Sequence, residues 1–138
     1  MLGVITPMDI YSDPTPIATA EQFKTALLSV RDRVGISPKD LAMLRSQCRA
    51  PAHIITTQQL AQELGYSHYI AASGQYGTLA HHIADALHIV LPRTPSGEPH
   101  WWRTLSVGND GAPQTDDGNY EWIMRPELVQ ALQEMRWA

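Results

Sequence analysis

The stretch Ile54–Leu87, IITTQQLAQELGYSHYIAASGQYGTLAHHIADAL, decides the fold of this chain. A threonine, Thr56 or Thr57, is placed to cap a first helix over QQLAQEL, whose leucines recur at helical spacing. Gly65 then supplies the left-handed residue that ends such a helix. Because a second periodic segment follows at once, the stretch predicts two helices joined by a tight turn.

The second helix of this pair is predicted over His68–Leu87, with Ser67 as its N-terminal cap. Gly74 and Gly77 interrupt it and would each cost about 1 kcal/mol of helix stability relative to alanine. Small residues three apart indicate that another backbone comes close to the helix at this point. The predicted buried stripe consists of Ala72, Tyr76, Leu79, Ile83, Ala86 and Leu87.

The segment Trp101–Arg125, WWRTLSVGNDGAPQTDDGNYEWIMR, predicts a two-stranded hairpin. Trp101–Val107 and Tyr120–Met124 both alternate in polarity, as half-buried strands do. Gly108–Asn119 between them is too long for a tight turn and is typical of a projecting loop. Alternation would place Trp101 and Trp102 on opposite faces of the first strand, with one of them wholly or partly exposed.

Helices are predicted on both sides of these segments. Thr19 caps one that starts near Ala20, and Ser37 followed by Pro38 starts a second one. Arg125-Pro126 starts the last one, and Ile54 and Ile55 form a short extended entry or a first small strand. The sequence therefore predicts an α+β fold, a winged helix-turn-helix with N-terminal helices, a two-stranded β-hairpin wing and a C-terminal helix. Residues 1–20 are predicted to be an extended N-terminal arm, and 21–138 a single winged-helix domain.

Composition limits the classes of function. The chain has 138 residues and a net charge of −4, with 43% hydrophobic and 17% charged residues, which is typical of one globular domain. A single cysteine, Cys48, excludes an intramolecular disulfide and a cysteine-based zinc cluster, and it suits a reducing compartment. No apolar run approaches the ~18 residues that span a bilayer. We therefore expect a soluble cytoplasmic protein that uses no membrane.

Catalytic and cofactor motifs are not found in the sequence. His82, Asp85 and His88 lie three apart and could share one helix face, but the familiar helical zinc motif needs histidines four apart beside a glutamate. Solvated surface side chains are the favoured interpretation of these residues, and of the neighbouring loop carboxylates Asp116 and Asp117. We expect a non-enzymatic protein with no catalytic residue, no metal and no cofactor.

A helix-turn-helix followed by a hairpin is most often used to bind duplex DNA, with the second helix in the major groove. Glutamine, serine and threonine side chains can hydrogen-bond to base edges. Arg103, beside Trp101 and Trp102, would extend the contact from the wing. The predicted DNA-binding residues are Ser67, His68, Tyr69, Ser73, Gln75, Thr78, His81, His82 and Arg103.

The charge distribution supports a different partner. Lysine and arginine do not occur between Ala50 and Pro92, and the predicted wing carries Asp110, Asp116 and Asp117. Proteins that neutralise phosphates usually have a basic excess. The alternative is a protein-interaction module, such as a phage-encoded inhibitor of a bacterial defence complex, which would use the same helix face or the acidic wing.

Four segments carry a resemblance to a known group: TTQQLAQELGY, QYGTLAHHIADAL, WWRTLS and EWIMRPELVQAL. They resemble small bacterial and phage-encoded winged-helix modules that occur alone or joined to HNH-type nuclease domains. The helix pair is also similar to the DNA-binding half of alkyltransferase-type proteins, whose motif opens with T-x-x-x-L-A-x-x-L-G. The likeness covers Phe23 to Trp137 and implies DNA recognition in a restriction or related defence setting. The HNH residues and the alkyl-accepting Pro-Cys-His-Arg site are not in this sequence.

Overall fold

The structure, a computed structural model, describes residues 12–93, 97, 99–109 and 117–138. In these residues the chain forms five α-helices and one three-stranded antiparallel sheet, which is an α+β architecture. The elements in chain order are α1 (Ala20–Arg33), α2 (Pro38–Arg49), β1 (Ile54–Ile55), α3 (Thr57–Leu64), α4 (Tyr69–Leu87), β2 (Ser106–Gly108), β3 (Trp122–Met124) and α5 (Pro126–Glu134). Two 3₁₀ turns, Pro51–His53 and Trp101–Thr104, precede β1 and β2.

The first three helices each begin with a capping box. In each box the hydroxyl of the cap accepts a hydrogen bond from the third helical residue, whose side chain accepts one from the cap amide in return. The pairs are Thr19 with Gln22, Ser37 with Asp40, and Thr56 with Gln59. The predicted caps of α1 and α2 are confirmed, and Thr56 is the cap of α3. Gly65 ends α3 at φ 75°, also as predicted.

The sheet has the strand order β1-β3-β2. Ile123 in the centre of β3 lies opposite Ile54 of β1 on one side and Val107 of β2 on the other. These three side chains share one face of the sheet and are half-buried. The other face, which includes Trp122 and Met124, is buried against the helices.

A buried polar cluster joins α2, α4 and the sheet. The Tyr76 hydroxyl donates to Gln47 Oε1 at 2.6 Å and lies 2.6 Å from Ser106 Oγ. The Gln47 Nε2 group donates to Ser106 Oγ at 2.8 Å and to the Trp122 carbonyl at 3.2 Å. Because Gln47, Tyr76 and Ser106 are each 0% exposed, these hydrogen bonds satisfy groups that water cannot reach.

The first strand of the hairpin is shorter than predicted. Trp101–Thr104 is a 3₁₀ turn, so Trp101 and Trp102 do not alternate across a strand. The Trp101 ring stacks on His81 of α4 with centroids 3.8 Å apart, and the Trp102 ring stacks on Trp122 at 5.5 Å. Both indoles are half-buried, and the helical turn lets both of them pack inward. The second strand is confined to Trp122–Met124, and most of the predicted wing loop, 110–116, lies outside the described residues.

Two expectations about α4 are wrong. The helix begins at Tyr69 and is capped by His68, whose Nδ1 accepts a hydrogen bond from the Ile70 amide at 3.2 Å, so Ser67 is not the cap. In the described part of the chain no backbone approaches Gly74 or Gly77, because a Cβ built at either position would meet nothing within 4 Å. Both glycines therefore lie at an open surface rather than at a helix crossing.

The predicted arm is described only in part. Residues 1–11 lie outside the described residues, and 12–19 run without helix or strand to the start of α1. Among the helices that the structure describes, none combines the length and the apolar character needed to cross a membrane.

Candidate functional site

One side of α4 faces away from the rest of the protein. Its buried side consists of Ala72, Tyr76, Leu79, Ala80, Ile83 and Ala84. The opposite side is exposed and follows the same helical period, and we call it the outward face of α4. It consists of Ile70, Ala71, Gly74, Thr78, His81 and Asp85.

The outward face has small side chains in its first turns and one carboxylate, that of Asp85, at its C-terminal end. The methyl group of Ala71 and the absence of a side chain at Gly74 leave the helix backbone open to close approach, and Ile70 is 62% exposed. The Thr78 hydroxyl donates to the Gly74 carbonyl at 2.9 Å, so its oxygen lone pairs stay available to an outside donor. The face therefore offers apolar contact and a few hydrogen-bonding groups.

His81 is held in a defined orientation at one end of this face. Its ring lies nearly parallel to Trp101, with an interplanar angle of 7°. Its Nε2 is 3.7 Å from Asp85 Oδ1, and the side chain is 46% exposed. The imidazole edge is thus presented to solvent while the ring face is covered.

The base of the hairpin loop lies beside the start of α4. The Gly118 carbonyl accepts hydrogen bonds from the Gln58 amide at 3.0 Å and from Thr57 Oγ1 at 3.2 Å. Gly118 has φ +83°, and a Cβ there would come within 2.6 Å of Tyr69 Cγ. Only glycine allows this contact, which places the acidic Asp117 next to the first turn of α4.

Gln75, a predicted DNA contact, is instead tied to α2. Its Nε2 donates to Asp40 Oδ1 at 2.9 Å, and its Oε1 accepts a hydrogen bond from the Tyr66 hydroxyl. Lys39 Nζ lies 4.2 Å from the centroid of the Tyr66 ring. Since both ends of the amide are engaged within the protein, Gln75 holds the turn between α3 and α4 rather than a ligand.

Arg103, the predicted contact from the wing, is buried, so this prediction is also wrong. The 3₁₀ turn directs its side chain inward, and the residue is 6% exposed. Its carbonyl accepts a hydrogen bond from Arg125 Nε at 2.8 Å. Burial, and next the nearby charge of Arg103, lowers the pKa of Arg125 to about 10. These two guanidinium groups belong to the interior and do not reach a phosphate.

The remaining predicted residues divide by exposure. Ser67 and His68 are exposed in the turn before α4, whereas Tyr69, Ser73 and His82 are half-buried. His82 lines a pocket of about 420 Å³ together with Arg33, Asp85 and His88. Within the described part of the chain, no group of three or more His, Cys, Asp or Glu side chains is placed to hold a metal ion.

Three apolar residues of the outward face, Ile70, Ala71 and Gly74, are not among the predicted contacts, because only polar side chains were expected to bind DNA. The signal that could have found them was present. They lie on the helix opposite the predicted buried stripe, which is confirmed at Ala72 and Tyr76 among others. A complete assignment of both helix faces would have included them whatever their polarity.

Two exposed cations of the described residues lie near α4. Lys39 is beside Tyr66 at its N-terminal half, and Arg33 is beside His82 at its C-terminal half. Arg33 is the last residue of α1, Lys39 is in the first turn of α2, and both are exposed. Other cations are engaged with neighbouring acids or carbonyls: Lys24 with Glu21 and Glu134, Arg31 with Asp32, and Arg45 with the Trp137 carbonyl.

Comparison with protein-family models, with curated proteins and with solved structures finds nothing that matches this chain.

Proposed function

We propose that this protein is a non-enzymatic winged-helix module that binds duplex DNA in the cytoplasm, with α4 as the helix that enters the major groove. The outward face of α4 is the observation that carries the proposal, because this helix follows a helix and a tight turn and no described residue covers one of its sides. The chain order α2-β1-α3-α4-β2-β3 and the sheet order β1-β3-β2 support the proposal, and so does the stacking of Trp122 in β3 on Tyr76 of α4. A regulator or a targeting module in a restriction or defence setting fits such a protein.

The proposed DNA contacts lie in the turn before α4 and along the outward face of α4. Ser67 and His68 precede α4, where helix-turn-helix proteins contact base edges. Thr78 and His81 follow along the outward face and supply one hydroxyl and one imidazole edge. The small side chains between them let the helix approach the groove floor closely, and they favour apolar contact with thymine methyl groups.

Neutralisation of DNA phosphates is expected to contribute little to the binding affinity. Lys39 and Arg33 are the cations that border α4. With two phosphates neutralised, log K falls against log salt with a slope of about −1.8, so that affinity drops roughly tenfold between 50 and 200 mM salt. A shallow salt dependence is therefore expected, which fluorescence anisotropy on a labelled duplex measures directly.

The test uses opposite charges at one open position. A side chain at Gly74 meets nothing within 4 Å, so Gly74→Arg and Gly74→Glu should both fold. If α4 lies in the groove, Gly74→Arg tightens binding to duplex DNA and Gly74→Glu abolishes it. Gln62→Arg and Gln62→Glu are the matched controls, because Gln62 is exposed on α3 away from this face.

Two results would refute the DNA proposal. One is undetectable binding of the unaltered protein to any duplex, modified bases included, at low salt. The other is that the Gly74 pair changes affinity no more than the Gln62 pair does, which would leave only the effect of net charge.

A protein partner is the second candidate, and the exposed Ile70 and the carboxylate of Asp85 on the outward face favour it over a phosphate backbone. A partner that covers this face, such as a component of a bacterial defence complex inhibited by the protein, would bury the new charge of either Gly74 variant. Both variants should then weaken the complex, because an unpaired buried charge is costly whatever its sign. DNA binding gives opposite effects for the two charges, so the same four variants separate the candidates.

A further inference from the structure

A cleft with a volume of about 670 Å³ lies between α2 and α3, and we call it the α2–α3 cleft. Both residues of β1 also line it, and β1 is an edge strand because the sheet has the order β1-β3-β2. Among the described residues that line the cleft, none is one of the DNA contacts proposed above. Its side chains are therefore available to a different ligand.

Two arginines of α2, Arg45 and Arg49, line the cleft and are exposed. They are four residues apart, so they lie on successive turns of the same side of the helix. Arg45 Nε donates a hydrogen bond to the Trp137 carbonyl at 2.7 Å, which holds this guanidinium in place and leaves its terminal N–H groups to a ligand. In the part of the chain that the structure describes, neither arginine forms an ion pair with a carboxylate. The cleft therefore presents two positive charges, although the whole chain has a net charge of −4.

The lining that comes from α3 is polar. Gln59 Oε1 accepts a hydrogen bond from the Thr56 amide at 2.9 Å, so the amide nitrogen of Gln59 is left as a donor. Gln62 and Glu63 are exposed and also line the cleft. The carboxylate of Glu63 would repel the closely spaced phosphates of a duplex, whereas a peptide can place a neutral or positive group beside it. The charge pattern of the cleft therefore favours a peptide over DNA.

The edge of β1 does not favour the addition of a further strand. The Ile54 amide already donates to the Pro51 carbonyl, and the Thr56 amide donates to Gln59 Oε1. These two amides are thus unavailable to an added strand, and a peptide must be held by side chains instead. Ala42, Pro51 and Ile54 add apolar surface to the lining. Such surface suits the side chains of a peptide and not an inorganic anion.

We propose that the α2–α3 cleft binds an extended acidic segment of a partner protein, with two carboxylates of that segment paired with Arg45 and Arg49. Four residues of helix rise about 6 Å, and alternate residues of an extended chain are about 7 Å apart. Acidic residues at alternate positions of the segment therefore match the spacing of the two arginines. Each guanidinium can hold its carboxylate through two parallel hydrogen bonds. This site shares no residue with the outward face of α4, so it stands independently of DNA binding.

A labelled peptide tests the charge pairing. The probe has about six residues that alternate glutamate and valine, because β-branched residues favour the extended form, and fluorescence anisotropy measures its binding to the full chain. Arg49→Glu should weaken binding at least about fivefold, since it replaces an attraction by a repulsion. Arg31→Glu is the matched control, because Arg31 is an exposed arginine of α1 outside the cleft and the change in net charge is the same. The corresponding lysine–valine peptide should bind Arg49→Glu more tightly than it binds the unaltered protein, which also reports that the variant is folded.

Four results would overturn the proposal. Equal weakening by Arg49→Glu and Arg31→Glu would leave only the effect of net charge. Equal binding of a peptide with glutamine in place of glutamate would show that the carboxylates are not recognised. Displacement of the acidic peptide by inorganic phosphate at a similar concentration would make the cleft a simple anion site, and displacement by duplex DNA would make it part of a DNA interface.

The charge variants at Gln62 and Gly74 provide a second comparison with the same peptide. Because Gln62 lines the cleft, Gln62→Arg should tighten binding of the acidic peptide and Gln62→Glu should weaken it. The Gly74 pair should change peptide binding less, since Gly74 lies on the outward face of α4. Duplex DNA should give the reverse pattern, so the failure of one proposal is distinguishable from the failure of the other. A larger effect of the Gly74 pair on the acidic peptide would contradict the assignment of the peptide to the cleft.

Discussion

Replacing Tyr76 by phenylalanine removes one oxygen atom from the centre of the protein. The Tyr76 hydroxyl is the donor to Gln47 Oε1 at 2.6 Å, and both residues are 0% exposed. The lost hydrogen bond is worth about 1 kcal/mol, and leaving the amide oxygen buried without that donor costs about 1–2 kcal/mol more. Ser106 Oγ is affected less, because Gln47 Nε2 still donates to it at 2.8 Å.

The expected loss is therefore roughly 2–3 kcal/mol in the free energy of unfolding, which lowers the Tm by about 8–10 °C for a chain of this length. Urea titration measures the loss, and tryptophan fluorescence is a suitable signal because Trp122 stacks on Tyr76 with centroids 4.5 Å apart. The ring itself is kept, so no cavity term enters the comparison.

A double variant separates the cost of leaving the Gln47 amide without a partner from the cost of altered packing. Gln47→Leu with Tyr76→Phe removes both partners, and its cost should be at least 1 kcal/mol smaller than the two single costs added together. A free energy of unfolding for Tyr76→Phe within about 0.5 kcal/mol of that of the unaltered protein would refute this prediction, since the buried hydrogen bond would then contribute nothing measurable.

Four further predictions concern pH and backbone conformation. Burial raises the pKa of Tyr76, so the folded protein keeps a proton that the unfolded chain loses above about pH 10. The contribution of this group to stability is complete below that pH and falls above it by up to about 1.4 kcal/mol per pH unit. Urea titrations at several pH values should show this loss in the unaltered protein and not in Tyr76→Phe. Gly118→Ala should lower the free energy of unfolding by about 3 kcal/mol, because the methyl group adds left-handed strain and meets Tyr69 Cγ at 2.6 Å; an unchanged Tm would contradict that contact. Gly74→Ala should raise the free energy of unfolding by about 1 kcal/mol through helix propensity alone, and a decrease would mean that the position is not open. Ala52→Gly should raise the Tm slightly, because Ala52 has φ 55° and the left-handed penalty of about 1–2 kcal/mol exceeds the extra entropy of glycine in the unfolded chain; a lower Tm in calorimetry would contradict this.

Local sequence determined most of the secondary structure. The caps at Thr19, Ser37 and Thr56 and the left-handed Gly65 are confirmed, because each depends on residues within three or four positions along the chain. The hairpin was foreseen from alternation, and the buried side of α4 from its helical period. The winged-helix arrangement and DNA binding stay predictions.

Tertiary contacts decided which side chains are available to a ligand. Arg103 is buried by a 3₁₀ turn that exists because two indoles find partners on α4 and β3, about 20 residues away on either side along the chain. Gln75 is taken up by Asp40, 35 positions earlier in the sequence. The residue pattern along one helix specifies which side is buried. The exposure of a given polar side chain depends on segments far away in sequence, and only the folded chain determines which of these lie next to it.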